Sequence, residues 1–386
     1  MSNKALCSFA LQARRNRPPL PSTYRTNYRI ERVNNGYFCD LWFLTAGCTH
    51  DANGGCVMCN YGGGCPASVA EREMDCIIAD LENIIDGFPY PFEDFILTPS
   101  GSMLDQREVT PFMRERLVPV LRSIRTKRFI VETRPETVTE ENLRFLEEAT
   151  PGAMKYVEIG LENGFDWVLE HCINKGTTFG AFCAAIEIAH AHNIYVTANV
   201  GIGIPFMSER ASIETAVRTV RRVLDAGADS VVLFPYHVKK HTLLDVMSQA
   251  GIYCCVSLWA LIEVLAELHN DAERIQISWY KDYYGQDKSH IISSPGTCPQ
   301  CLRDVTSLLD IYRNSPNSSS IELLQNYDCV CHKKWHSALE KQPSGVDIGR
   351  VENDYRHLAT LLPVSETLLE KEITRMRREY EEWKMW

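Results

Sequence analysis

The loop from Thr45 to Gly64 carries Cys48, Cys56 and Cys59, with seven residues in the first gap and two in the second. A two-residue gap lets both thiolates bind one metal centre, and Gly54, Gly55 and Gly62 to Gly64 let backbone wrap closely around it. Three ligands leave one iron of a four-iron cluster open, as catalytic metal sites keep a vacant position. The competing readings are a zinc knuckle completed by His50 or Cys65, or free buried thiols. Zinc knuckles usually present two Cys-x-x-Cys pairs, and this loop has one.

A second group follows much later: Cys298 with Cys301, then Cys329 with Cys331, roughly thirty residues on. Two close pairs predict a four-thiolate site that ties the C-terminal segment down. Zinc suits four closed ligands best, an auxiliary iron–sulfur cluster comes second, and free thiols are the plain alternative. His332 is a substitute ligand. Cys254 and Cys255 sit among apolar residues and read as core. Fifteen cysteines in one chain point to metal or catalysis, because a reducing compartment seldom keeps structural disulfides.

Six short runs rich in Val, Ile and Phe predict strands: Phe38–Thr45, Asp94–Thr98, Arg128–Thr133, Lys155–Gly160, Ile194–Val200 and Ser230–Phe234. They are mostly continuous, as expected of parallel strands covered on both faces. Between them lie helical patterns over Val69–Ile85, Val109–Ile124, Glu140–Ala149, Phe179–His192 and Glu209–Ala226. Ser68 with Glu71 and Thr137 with Glu140 have capping-box spacing. Strands separated by helices make an α/β fold with a parallel sheet, either open or curved into a barrel. Ile275–Trp279 is a candidate further strand, residues 280–300 are turn-rich, and Ser365 to Trp386 reads as one charged helix. The organisation expected is an N-terminal extension (1–37), a main α/β unit (38–280) and a Cys-bearing extension (281–386).

At 386 residues and a formal charge of −10, the chain is long enough for a large core, and its surface is not generally built for polyphosphate. Local basic strips remain at Arg14 to Arg17, Arg122 to Arg128 and Lys239 to His241. No run of about 18 apolar residues is present, so no membrane span is expected. Residues 1–22 lack an apolar signal core, so a cytoplasmic protein is expected.

Three cysteines on the loop after the first strand, with Met58 just before the third, resemble the cluster motif of the radical S-adenosylmethionine superfamily. The usual first gap there is three residues; the wider gap here is similar to that of the archaeosine synthase radical subunit and, more distantly, the elongator catalytic subunit. The resemblance covers about residues 38–265 and implies a partial (β/α)6 barrel with a [4Fe–4S] cluster on Cys48, Cys56 and Cys59. It implies that S-adenosylmethionine meets Met58, Tyr61 and the small-residue segment Ser100, Gly101, Ser102. Glu132 and Arg134 end the third strand, Glu162 the fourth, and Lys175 precedes the next helix. Glu132 paired with Arg134 or with a lysine is the structural alternative. Asn199 and Gly203 would lie near the ribose and adenine, while Tyr236 and His237 are substrate-facing candidates. The resemblance further implies one-electron cleavage of the sulfonium to a 5′-deoxyadenosyl radical, fed by an external flavodoxin- or ferredoxin-type donor.

The named relative acts on a modified guanine in transfer RNA. The acidic chain and the lack of an RNA-binding module favour a small-molecule substrate instead, such as an amino acid, nucleoside or natural-product precursor. A tRNA substrate predicts a basic surface at the barrel mouth, and a small molecule predicts a closed, partly acidic pocket. A non-catalytic zinc-binding scaffold is the alternative of another class.

Overall fold

In the computed structural model, which describes residues 4–21, 24–281 and 290–383, strands and helices alternate as the hydrophobic spacing predicts. The chain opens with α1 (Ala5–Ala13) and a hairpin of β1 (Thr26–Val33) and β2 (Gly36–Phe43). There follow α2 (Glu71–Asp86), β3 (Phe92–Pro99), α3 (Pro111–Ser123), β4 (Thr126–Thr133), α4 (Glu140–Ala149) and β5 (Met154–Glu162). Next come α5 (Asp166–Val168), α6 (Phe179–Ala191), β6 (Tyr195–Ile202), α7 (Glu209–Asp225), β7 (Ser230–Pro235) and the short β8 (Val238–Lys239). Helices α8 (Leu243–Gln249) and α9 (Leu258–Glu267) lead to β9 (Ile275–Ile277), and β10 (Ile291–Ser293) pairs back onto β8. The C-terminal helices are α10 (Leu302–Asn314), α11 (Ser318–Gln325), α12 (Val330–Leu339), α13 (Ile348–Leu361) and α14 (Glu366–Trp383).

One sheet runs in the order β1-β2-β3-β4-β5-β6-β7-β9, parallel from β2 onward, with β1 antiparallel to β2 along one edge. Each of the six expected strands lies in the sheet, and Ile275–Trp279 supplies β9. Seven inter-strand steps of about 4.8 Å would put the edges of a flat sheet roughly 34 Å apart. Yet neighbouring residues of α10 touch both edges. The Tyr312 hydroxyl donates to the Ile275 carbonyl at 2.8 Å, and Arg313 pairs with Glu31 of β1 at 2.9 Å. The sheet is therefore curled into a partial barrel, and α10 stands in the gap.

Burial alternates along β4, β7 and the second half of β2, and is nearly continuous along β5 and β6. In β4, Phe129, Val131 and Thr133 are buried under helices, while Arg128, Ile130 and Glu132 are only half-buried on the inner face. The expectation of strands covered on both faces holds for β5 and β6 and is corrected for β4, where one face meets helices and the other stays half-buried. The outer helices bury one stripe each, as Ser212, Ala216, Thr219, Val220 and Val223 do on α7.

Both capping boxes are also displaced. Ala70 caps α2, with Glu73 accepting from its amide at 3.0 Å. Thr139 caps α4, because Thr137 is drawn into a hydroxyl cluster with Thr133 and Ser102 at 2.6 and 3.3 Å. The tail helix packs on the barrel: Trp383 stacks on Trp167 at 5.4 Å, and Trp167 donates to the Met376 carbonyl at 3.1 Å. Residues 384–386 of the expected tail helix and 282–289 of the expected turn-rich stretch lie outside the described residues. Among the described residues no helix is long and apolar enough to cross a membrane.

Candidate active site

The loop after β2 crosses the carboxyl ends of the strands, where sites of such folds lie. Arg134, one residue beyond β4, braces it. Its guanidinium reaches the Thr49 hydroxyl at 2.9 Å, Asp105 at 2.5 Å and Glu108 at 3.3 Å, and lies 3.7 Å from the Cys48 sulfur. Glu108 in turn accepts from the amides of Thr49 (2.6 Å) and Ser102 (2.5 Å). From the other side, Arg14 donates to the carbonyls of Cys56 and Cys59 at 2.7 and 2.8 Å and pairs with Asp51 at 3.1 Å. Asn174 donates to the Gly55 carbonyl at 2.8 Å, and its own carbonyl lies 2.7 Å from a His50 ring nitrogen.

Gly101 sits where a Cβ would come 2.2 Å from Glu108 and 3.3 Å from the Cys48 backbone, so the small-residue segment presses directly on the cysteine loop. The Thr45 hydroxyl donates to the Ser100 carbonyl at 3.3 Å, and Ser102 shares a 2.7 Å hydroxyl contact with Thr133.

Beneath the loop, Glu162 ends β5 in a left-handed conformation (φ 72°) that costs a non-glycine residue of order 1 kcal/mol. The Lys175 ammonium holds it at 3.0 Å, and the Tyr236 hydroxyl lies 3.5 Å away. Tyr236 lies so close over Gly201 that a Cβ there would meet its ring at 2.3 Å. Further in, Asp40, Glu132 and Glu158 share the inner face. Burial, then the charges of Glu158 and Asp40, pushes Glu132 well above the carboxylate range. Burial likewise lifts Glu158 to about 7, opposed by its hydrogen bond to Asn199. The charge of Glu132, then burial, pushes Tyr61 upward. Lys239 lies over the Tyr61 and Trp279 rings at 5.8 and 4.8 Å.

Most of the expected residues therefore converge, but with altered partners. Arg134 serves Asp105, Glu108 and the cysteine loop, while Glu132 faces other carboxyls. His237 is almost fully buried, with one ring nitrogen 3.0 Å from the Ser294 hydroxyl and the other 2.6 Å from the Trp279 carbonyl. Gly203 (φ 90°) is engaged by Ser212 and Tyr253, and Met58 is buried in the core. Arg14, Asp105, Glu108 and Asn174 were not anticipated as site residues, and their local sequence carries no signal that singles them out.

No family model matches the chain. It is 30% identical over 304 residues to the archaeosine synthase subunit beta of Methanosarcina acetivorans, across 77% of this chain and 84% of that protein. The chain belongs to the archaeosine synthase beta-subunit family of radical S-adenosylmethionine enzymes. The counterpart from Thermococcus kodakarensis is 31% identical over 213 residues, 54% of this chain and 65% of the relative. Among solved structures, methylornithine synthase aligns over 86% of this chain and 85% of its own at 14% identity, with a TM-score of 0.45.

Membership in the radical S-adenosylmethionine class brings its two cofactors, a [4Fe–4S] cluster and S-adenosylmethionine, and the residues present fit them. Burial, then the charge of Glu108, raises the Cys48 thiol to about 12, and burial raises Cys56 to about 11 against the pull of Lys175. Such thiols stay protonated until a metal displaces the proton. Arg14, Arg134 and Lys175 surround the loop and would offset the charge of a thiolate-bound cluster held there. The Asn199 side-chain oxygen is buried with no hydrogen-bond partner among the described residues, which suits a hydroxyl-bearing ligand.

The second cysteine group also assembles. Sulfur–sulfur distances are 3.4 Å for Cys298–Cys301, 3.6 Å for Cys298–Cys329 and 3.4 Å for Cys301–Cys331, and all four sulfurs lie within 4.8 Å of one another. The Trp259 indole N–H donates to Cys331 at 3.3 Å. His332 stacks on Trp259 at 4.1 Å and is not needed as a ligand.

Proposed function

We propose that Cys48, Cys56 and Cys59 hold the [4Fe–4S] cluster at the barrel mouth and that S-adenosylmethionine lies between it and the inner face. The substrate is a small molecule with a cationic amine that enters the acidic interior. The observation that carries this reading is the ring of Arg14, Arg134 and Lys175 about the three cysteines, set over Asp40, Glu132 and Glu158. When bound, the reduced cluster and S-adenosylmethionine supply the one-electron chemistry; the protein supplies placement, charge balance and exclusion of water. Arg134 and Arg14 fix the loop, and the Glu162–Lys175 pair presents a polar floor to the cofactor. Glu132 and Glu158, both raised by burial, receive the amine beside Asp40, which is paired with Arg29 at 3.4 Å. Electrons come from a flavodoxin- or ferredoxin-type donor in the cytoplasm.

Similarity to proteins named archaeosine synthase subunit beta supports a second reading, in which the acidic interior receives the modified base of a tRNA. The test is anaerobic reconstitution followed by reduction with dithionite in the presence of S-adenosylmethionine, with products read by mass spectrometry. Release of 5′-deoxyadenosine that rises with amine-bearing small molecules supports the first reading. Stimulation only by tRNA supports the second. Neither iron binding nor cleavage would overturn both and leave the scaffold.

A further inference from the structure

We propose that Cys298, Cys301, Cys329 and Cys331 bind a single zinc ion, closed to substrate, which fixes α10 as the wall between the first and last strands of the barrel.

The geometry discriminates a single ion from a cluster, and among single ions four closed thiolates suit zinc best. A tetrahedral ion with metal–sulfur bonds of about 2.3 Å sets its sulfurs about 3.8 Å apart. A four-iron cubane spreads its ligand sulfurs over roughly 6 Å. The observed 3.4–3.6 Å contacts, and the 4.8 Å limit on all pairs, match one ion and leave no room for a cubane. Four sulfurs fill a tetrahedral shell, so no position remains for substrate or cofactor.

The surroundings are built for thiolates. Cys301 immediately precedes α10 and Cys329 immediately precedes α12. Both helix N-termini therefore direct their positive ends at the sulfurs. The indole N–H of Trp259 on α9 donates to the Cys331 sulfur and so holds that ligand in place.

The mechanical consequence follows from where these helices go. From the four sulfurs α10 runs to Tyr312 and Arg313, which bond β9 and β1 and so close the curled sheet. On the other side of Cys298 the chain passes Gly296, whose carbonyl accepts from Leu258 and Ser257 at 3.0 and 3.1 Å, and Ser294, which meets His237. It continues into β10, paired with the strand that carries Lys239. One ion thus pins both the barrel's missing wall and the strand beside its mouth. This inference does not depend on the proposed substrate or on S-adenosylmethionine cleavage.

Elemental analysis of the full chain, purified anaerobically with its cluster, tests it. The expected result is one zinc beside four irons, with zinc X-ray absorption fitted by four sulfurs at about 2.3 Å. Replacement of zinc by cobalt(II) should give the intense visible bands of a tetrahedral thiolate site. Cys298→Ser with Cys331→Ser should lose the zinc, keep four irons, and lose amide-exchange protection over 291–296 and 302–314. Eight irons, five irons without zinc, or zinc retained by the double variant would each overturn the proposal. Should the variant not fold, the absorption fit on the unaltered protein still decides.

Discussion

Cys298, Cys301, Cys329 and Cys331 touch one another, whereas Cys48, Cys56 and Cys59 touch other things. Cys48 meets the Arg134 guanidinium and the Cys59 sulfur meets the Tyr61 amide. The first loop is ringed by Arg14, Arg134 and Lys175, set over a hollow interior with carboxyls on its walls. The second group is served by two helix ends and an indole, and of its four sulfur-bearing residues Cys301 is buried. Two thiol groups in one chain thus solve opposite problems. A site that must admit ligand is left short of ligands and balanced by side-chain cations; a site that must only hold is complete in its own sulfurs.

The largest effect expected from this contrast is that of Cys56→Ala. It should remove the four irons and reduce S-adenosylmethionine cleavage to the level of a cluster-free control, with zinc content unchanged. Loss of both metals together would mean that the two groups are not independent. Arg134→Ala comes next. It strips a shared partner from Asp105 and Glu108, which are 4% and 0% exposed. Asp105 keeps Arg107 at 2.7 Å and Glu108 keeps the Thr49 and Ser102 amides, so the expected loss is about 1–3 kcal/mol. Urea unfolding should register that loss, and iron should be retained less well, because Thr49 and the segment beside Cys48 lose their brace. Arg134→Lys should recover charge without the fork and fall between. On the closed side, Trp259→Phe removes one N–H···S bond while keeping the ring against His332. Zinc affinity in a chelator competition should fall by about tenfold, and iron should stay at four.

What the sequence made legible divides along the same line. The second cysteine group declared itself because each of its pairs is closely spaced, and six strands did so through short Val, Ile and Phe runs. β1 did not, since Arg29, Glu31 and Arg32 give it the polar look of a loop, although Asn34 and Asn35 before Gly36 carry a hairpin signal. The partners of the cysteine loop were illegible for a different reason. Arg14 lies 42 and 45 residues from the carbonyls it binds, and Arg134 lies 86 from Cys48. Nothing in a charged residue states which distant neighbour will share its burial. The same holds for α10: an amphipathic helix was readable in principle, but its place between the sheet edges depends on how far the sheet curls.

The smallest effect expected is the most selective. Glu158 is lifted to about 7, first by burial, and Glu132 is raised by burial and by Glu158 itself. Below neutrality Glu158 is mostly protonated and offers an amine little charge. As pH rises through about 7, Glu158 ionises, and a bound cation further favours the ionised form. Affinity for an amine-bearing ligand should therefore strengthen between pH 6 and 8, by up to about tenfold per unit for one coupled proton. Calorimetric titration of the cluster-loaded protein at several pH values measures it. Glu158→Gln should flatten the profile and leave zinc and iron untouched, because the carboxyls line only the open site. A profile that stays steep in that variant would place the titrating group elsewhere and remove the acidic interior from ligand recognition.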